Sequence, residues 1–315
     1  MQTIQKIFLI IVGTVIIYAG FLFISDVPKI IDSLKNFELK YLPLILTIIP
    51  ASWLFLFLRW HFLTKNAGIV LPIKKNMLIY FSGFALAITP GKMGELIKSE
   101  ILKKEFSVPR TSSAPLIIVE RVYDLVGGVI VAIFGIWALG YGVYAIIGAG
   151  IFLTIIFVVL RSQKLFYKTI NVLNKIKFAQ KFTSSISESY ETIRVSIGIK
   201  IIITASLLSA FYWFIEGIGV YLIVLSLGID HLNYFDIIAT YASSLIIGAA
   251  SFLPGGLGIT EGSMVGLLNF QGIETSIAVI LVILIRLFTM WYSTLIGFIT
   301  MKFSGGYSLF TKSIK

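Results

Sequence analysis

Cysteine is absent from the 315 residues, which excludes disulfides, thiolate metal sites and cysteine nucleophiles. Histidine is nearly absent: His61 and His231 are too few and too far apart in the chain to outline a metal centre, and no cofactor is expected. Charge is scarce as well, at 13% of residues against about a quarter in a soluble domain. Acids are the scarcer sign, 15 against 26 lysines and arginines. What remains is apolar, with 57% hydrophobic residues and a mean hydropathy of +0.96. A water-soluble domain is thereby excluded, and the chain reads as an all-α integral membrane protein with one transmembrane domain over 1–315. The net charge of +11 does not imply nucleic acid, because most of it falls in loops assigned to one side of the bilayer, where positive charge sets orientation.

Apolar runs place spans at about 5–25, 41–58, 113–139, 143–160, 199–227 and 275–301, with the first retained because no small-residue cleavage site follows it. The second run ends at Arg59-Trp60-His61, and the loop beyond it adds Lys65, Lys74 and Lys75 without an acid, as a cytoplasmic loop does. Residues 161–197 combine many bases with apolar residues at helical spacing, predicting a cytoplasmic amphipathic segment. Both termini are expected in the cytoplasm.

Two further stretches are apolar but broken. Met77 to Pro90 supplies only about 21 Å of helix, short of a roughly 30 Å hydrocarbon core. Proline then stops the helix and glycine permits a turn. A polar stretch, Met93 to Leu102, leads back to Lys103, Lys104 and Arg110. The second stretch runs from Ile237 through Pro254 and back by way of Glu261 to Asn269. Residues 233–253 are long enough to cross fully, and both readings of them stay open. Pro90 to Arg121 is 31 positions and Pro254 to Arg286 is 32, so one device is used twice. It consists of a half-helix broken at Pro-Gly, a glutamate, then a span with an embedded arginine. The expected architecture is a polytopic helical bundle of about six spanning helices plus two re-entrant broken helices, in inverted repeats at about 77–139 and 233–301.

Arg286 lies roughly 18 Å of helix from Glu274, too deep to snorkel easily, and a central arginine costs at least about 2.5–3.5 kcal/mol. It therefore needs a carboxylate or a wet cavity, and Glu261 and Glu216 are the candidates. The bland alternative is an arginine locked to a carboxylate merely to hold helices together. Arg121 lies nearer an end of its span and can partly snorkel. Asp124 can pair with it at i,i+3, and Glu120 shares a face with Asp124 at i,i+4. Glu95 and Lys98 are also i,i+3 partners, whereas Glu261 has no base nearby in sequence and must find Arg286 or Arg121. The turns Pro90-Gly91 and Pro254-Gly255-Gly256 have a second use, because a helix starting inside the membrane aims free N–H groups at a phosphate. No Walker loop, zinc motif or nucleophile–base set is present, so catalysis has little support.

Pro90-Gly91, Gly94-Glu95, Glu120-Arg121 and Asp124, then Pro254-Gly255-Gly256-Leu257-Gly258, Glu261 and Arg286, carry a resemblance over almost the whole chain. The sequence resembles the flippase-like membrane family that includes the transmembrane domain of lysyl-phosphatidylglycerol synthase/flippase. Lys92 departs from the second glycine expected after Gly91. The resemblance implies a multi-pass plasma-membrane protein that translocates lipids or lipid-linked substrates. The soluble aminoacyl-transfer domain is not part of this sequence, so lysyl transfer is not implied. Substrate contacts are expected at Pro90, Gly91, Gly94, Glu95, Lys98, Glu120, Arg121, Asp124, Glu216, Pro254, Gly255, Gly256, Gly258, Glu261 and Arg286. The partners expected are the bilayer and a lipid or lipid-linked substrate, with a separate synthase or a second copy of the chain as further candidates. The alternatives are a membrane glycosyl- or phosphoglycosyl-transferase acting on polyprenyl phosphate, with Asp124 or Glu95 as base or metal ligand, and a non-catalytic partner of a lipid synthase.

Overall fold

The computed structural model describes residues 35–138, 142–175 and 189–306, and the expected span 5–25 lies outside them, as do 176–188 of the amphipathic segment. Every regular element among the described residues is helical. In order these are α1 Leu42–Asn66, α2 Ile73–Ser82, α3 Ile97–Phe106, α4 Arg110–Ala138, α5 Gly142–Arg161, α6 Gln163–Leu173, α7 Tyr190–Val195, α8 Ile199–Ser226, α9 Tyr234–Ala250, α10 Ile259–Phe270, α11 Thr275–Arg286 and α12 Tyr292–Phe303.

Among the described residues three helices are long and apolar enough to cross a bilayer, Leu39–Asn66, Ile199–Ser226 and Thr275–Phe303, and a bent pair can make a fourth. The third runs through α11 and α12 without a gap, joined by a π-helical turn at Leu287–Trp291. That turn begins at the residue after Arg286, and an extra residue per turn often marks a functional position in a helix. In the bent pair, α6 leaves α5 at 99°, and Phe166 and Ile170 bury the apolar side of α6. Together with α7, this is the described portion of the amphipathic segment read from the sequence.

Helix α1 corrects one boundary. The sequence reading ends the span at about 58, with Arg59-Trp60-His61 closing it, yet the helix continues to Asn66 and Arg59 is fully buried. Apolar residues resume directly after the arginine (Trp60, Phe62, Leu63), and carboxylates on α4 receive its charge, so nothing forces the helix to stop.

The core forms around α8, which packs on α1, α4 and α9. Small residues let the helices approach, as is usual where lipid tails supply no hydrophobic drive between them. Gly219 receives Ile49 of α1, Gly217 receives Ile238 of α9, and Gly127 of α4 lies against Ser209 and Trp213.

Both broken stretches are found. The first comprises α2, a 3-10 turn at Gly83–Leu86, a kinked turn at Pro90–Leu96 and α3. Left-handed backbone at Gly91 and Lys92 delays the polar helix, so it starts at Ile97 rather than Met93. The second comprises α9, the turn Pro254–Gly256 and α10. Asn233 caps α9 by accepting from the amides of Phe235 and Asp236 at 2.8 and 3.1 Å, while Asp236 accepts from the Asn233 amide, a reciprocal cap.

Helix α12 rests directly on the backbone of the first break. A Cβ at Gly297 would stand 2.6 Å from the Phe84 carbonyl carbon and 2.8 Å from the Ala85 Cα, atoms that cannot move aside. Gly297→Val is therefore expected to cost about 3 kcal/mol through overpacking, lowering the thermal midpoint of the purified protein. An unchanged midpoint would show that α12 and the first break are not in register as described.

Candidate functional site

The first break sits against α1 and α4. Thr89 is extended (ψ 156°), Gly91 and Lys92 turn left-handed, and the Gly94 amide donates to Thr89 Oγ1 at 2.6 Å. A Cβ on Gly94 would collide with the Leu86 carbonyl oxygen, so glycine is required for the turn to close. This geometry drives Glu95 inward, where it is 2% exposed.

Glu95 then meets Lys98 and Arg121. Lys98 Nζ donates to Glu95 Oε2 at 3.0 Å and to Glu120 Oε2 at 2.6 Å, and Arg121 Nη2 donates to Glu95 Oε2 at 3.2 Å. Arg121 Nη1 lies 2.8 Å from Asp124 Oδ2, the i,i+3 pair expected from the sequence. Arg59 closes the cluster from α1, with Nη1 at 2.7 Å from Asp124 Oδ1 and Nη2 at 3.6 Å from Glu120 Oε1. Its Nη1 also donates to Ser209 Oγ on α8 at 2.7 Å. Three cations thus face three carboxylates across four elements. Such a cluster is tolerable in a low-dielectric surround only because each charge has a partner. Lys98 is further held between aromatic rings, 4.5 Å from the Trp60 centroid and 4.8 Å from that of Tyr80.

The burial is uneven. The side chains of Arg59, Lys98 and Glu120 have no exposure, whereas Arg121 and Asp124 keep 26% and 19%. The cluster therefore has one open edge, at Arg121 and Asp124 on α4, against which the turn carrying the exposed Lys92 packs.

The second break builds a smaller cluster. Arg286 Nε donates to Glu261 Oε1 at 2.7 Å, and its Nη2 donates to the Gly255 carbonyl at 2.5 Å. The other Glu261 oxygen accepts from the Gly258 amide at 2.7 Å, at the start of α10. This carboxylate occupies the helix N-terminus that the sequence reading held open for a phosphate. In both units the glutamate after the Pro-Gly break pairs with the arginine 25 or 26 positions later. No ion pair joins the two clusters among the described residues.

The breaks themselves touch. A Cβ on Gly255 would lie 3.0 Å from Ile88 Cγ1, and one on Gly91 would lie 3.8 Å from the Phe252 ring. Gly255, Gly256 and Gly258 all have positive φ, which is why the second turn is rich in glycine. Glu216 joins neither cluster; buried on α8, it accepts from the Tyr241 hydroxyl at 3.1 Å.

Of the residues expected from the sequence, Glu95, Lys98, Glu120, Arg121 and Asp124 form one network. Gly255, Gly258, Glu261 and Arg286 form the other, and Pro90, Gly91, Gly94, Pro254 and Gly256 shape the two turns. Arg59 was missed. Its signal was available, since apolar residues flank it on both sides, but the Arg-Trp-His triplet reads equally well as the end of a span.

Broken apolar helices meeting around buried ion pairs, with spans long enough to cross a bilayer, define a polytopic helical membrane protein with charge held inside its bundle. The chain belongs to the family of the lysylphosphatidylglycerol synthase TM region, whose pattern matches residues 10–297. It is 26% identical to a UPF0104 membrane protein of Pyrococcus horikoshii over 93% of this chain and 95% of that one. It is also 26% identical to a UPF0104 membrane protein of Methanocaldococcus jannaschii, with 92% and 94% covered. A third such protein, from Methanothermobacter thermautotrophicus, is 23% identical over 94% of this chain and 95% of its own length.

Proposed function

We propose that this chain is a translocase for a lipid or lipid-linked substrate, binding an anionic or zwitterionic headgroup at the open edge of the first charged cluster. The observation that carries this reading is the asymmetric burial: a balanced set of charges with Arg121 and Asp124 left accessible. A merely structural ion-pair lock has no need of an open side. A headgroup entering there exchanges water for oriented charges while its tails stay in lipid. Carboxylates within the cluster suit an amine or a coupling proton.

In this reading the units at 77–139 and 233–301 lie in opposite orientation across a plasma membrane, with both termini cytoplasmic, and the touching breaks form the point about which access alternates. The paired Glu–Arg contacts support the repeat. The test is leaflet exchange: reconstituted into liposomes with fluorescent phospholipids, the protein should accelerate exchange. Arg121→Gln should slow it about tenfold by removing a charge-assisted contact at the open edge. Protein-free rates for every lipid in an anionic, zwitterionic and aminoacylated panel would reject the reading.

A further inference from the structure

We infer that Lys92 makes the open edge selective for a headgroup with one net negative charge, a phosphodiester without a compensating amine. The inference rests on the translocase reading for its site and narrows that reading's substrate class. Lys92 lies on the turn of the first break with its side chain exposed, and it forms no ion pair among the described residues. Its electrostatic neighbours are Arg121, Asp124, Glu95 and Glu216. Every one of these already has a partner: Glu95 and Asp124 hold Arg121 and other cations, and Glu216 takes the Tyr241 hydroxyl. Glu216 is moreover 2% exposed, out of reach of a ligand. The cluster of Arg59, Lys98 and Arg121 with Glu95, Glu120 and Asp124 is neutral in itself, so the accessible excess is the single charge of Lys92.

The backbone gives an independent indication. Lys92 has φ 55° and ψ 25°, a left-handed conformation that an L residue enters at a cost and glycine enters freely. Holding a lysine there, with its neighbour Gly91 also left-handed, is the pattern of a strained residue kept at a working position. An ammonium group without a carboxylate, presented beside the partly exposed Arg121, is a fit for one phosphodiester oxygen pair. A zwitterionic headgroup would bring its own cation into an edge that already carries one too many.

The full chain in mixed phosphatidylglycerol/phosphatidylcholine nanodiscs, read by native mass spectrometry of retained lipid, tests this. The wild type should retain phosphatidylglycerol about tenfold over phosphatidylcholine, the scale of one charge-assisted contact. Lys92→Gln and Lys92→Gly should abolish the preference, and Lys92→Arg should keep it. Lys92→Gly should at the same time raise the thermal midpoint by about 2 °C as the left-handed strain is relieved, so that its lost preference cannot be put down to unfolding. A preference unchanged in Lys92→Gln and Lys92→Gly overturns the inference. Soluble glycerophosphoglycerol identifies the source of the phosphodiester: displacement of the lipid at equal concentration assigns the site to a free ester, and no displacement assigns it to a lipid. Anion preference lost with Lys92 but no leaflet exchange would sink the translocase and leave this site standing. Exchange in liposomes with a preference indifferent to Lys92 would do the reverse.

Discussion

Glu120→Ala is expected to destabilise the protein by about 3–5 kcal/mol, because it leaves the buried cluster with three cations against the two carboxylates Glu95 and Asp124. Lys98 loses its 2.6 Å bond, and the Arg59 guanidinium loses the carboxylate 3.6 Å away, with neither side chain able to reach solvent. Thermal denaturation of the purified protein measures the loss. The companion experiment is the double variant Lys98→Met with Glu120→Met. Removing both members replaces a buried pair with apolar volume, so the double variant should be more stable than Glu120→Met alone, with strong non-additivity between the single changes. A double variant that melts at the sum of its two single losses would mean that Lys98 and Glu120 do not share their charge.

Exchanging the charges of Arg286 and Glu261 should fail to restore the fold. Arg286→Glu and Glu261→Arg should each cost about 3–5 kcal/mol, and the swapped pair should recover little of it. Each side chain makes a second contact that the exchange cannot reproduce. Arginine at 261 cannot accept from the Gly258 amide, and glutamate at 286 cannot donate to the Gly255 carbonyl. The pair is thus a clamp on the backbone of the second break as well as a salt bridge. The surface pair of Arg110 with Glu100, both substantially exposed, is the control: reversing it should change stability by less than about 1 kcal/mol. If the swapped 261/286 pair restores the wild-type melting temperature, the backbone contacts contribute little and charge alone holds the break.

These two outcomes also separate the roles of the clusters. The second has its carboxylate bound to a helix start and its arginine bound to a carbonyl, so most of its hydrogen-bonding capacity is spent internally. The first leaves Arg121 and Asp124 partly exposed, with Lys92 beside them. A ligand has more to gain at the first, and stability depends heavily on both.

The i,i+3 relations on α4 and across the turn into α3 were legible in the sequence because they follow from local helical spacing. Glu95 with Lys98 and Arg121 with Asp124 pair as that spacing requires. The breaks were legible too, since proline and glycine act on the backbone where they stand. The partners of Arg59 were not legible, because they lie on other helices: Asp124 is 65 positions away and Ser209 is 150.

The sequence by itself determined that this is a helical membrane chain, where its helices break, and that charges other than Arg59, among them Glu95, Arg121, Glu261 and Arg286, are set into its apolar stretches. Those properties depend on local hydropathy and on the backbone preferences of single residues. Only the tertiary structure decided that Glu261 fills its own helix N-terminus, that Glu216 bonds a tyrosine rather than an arginine, and that Arg59 completes the first cluster. Each of these choices depends on which helices lie side by side, and the low dielectric between them makes an unpartnered charge too costly for any looser arrangement.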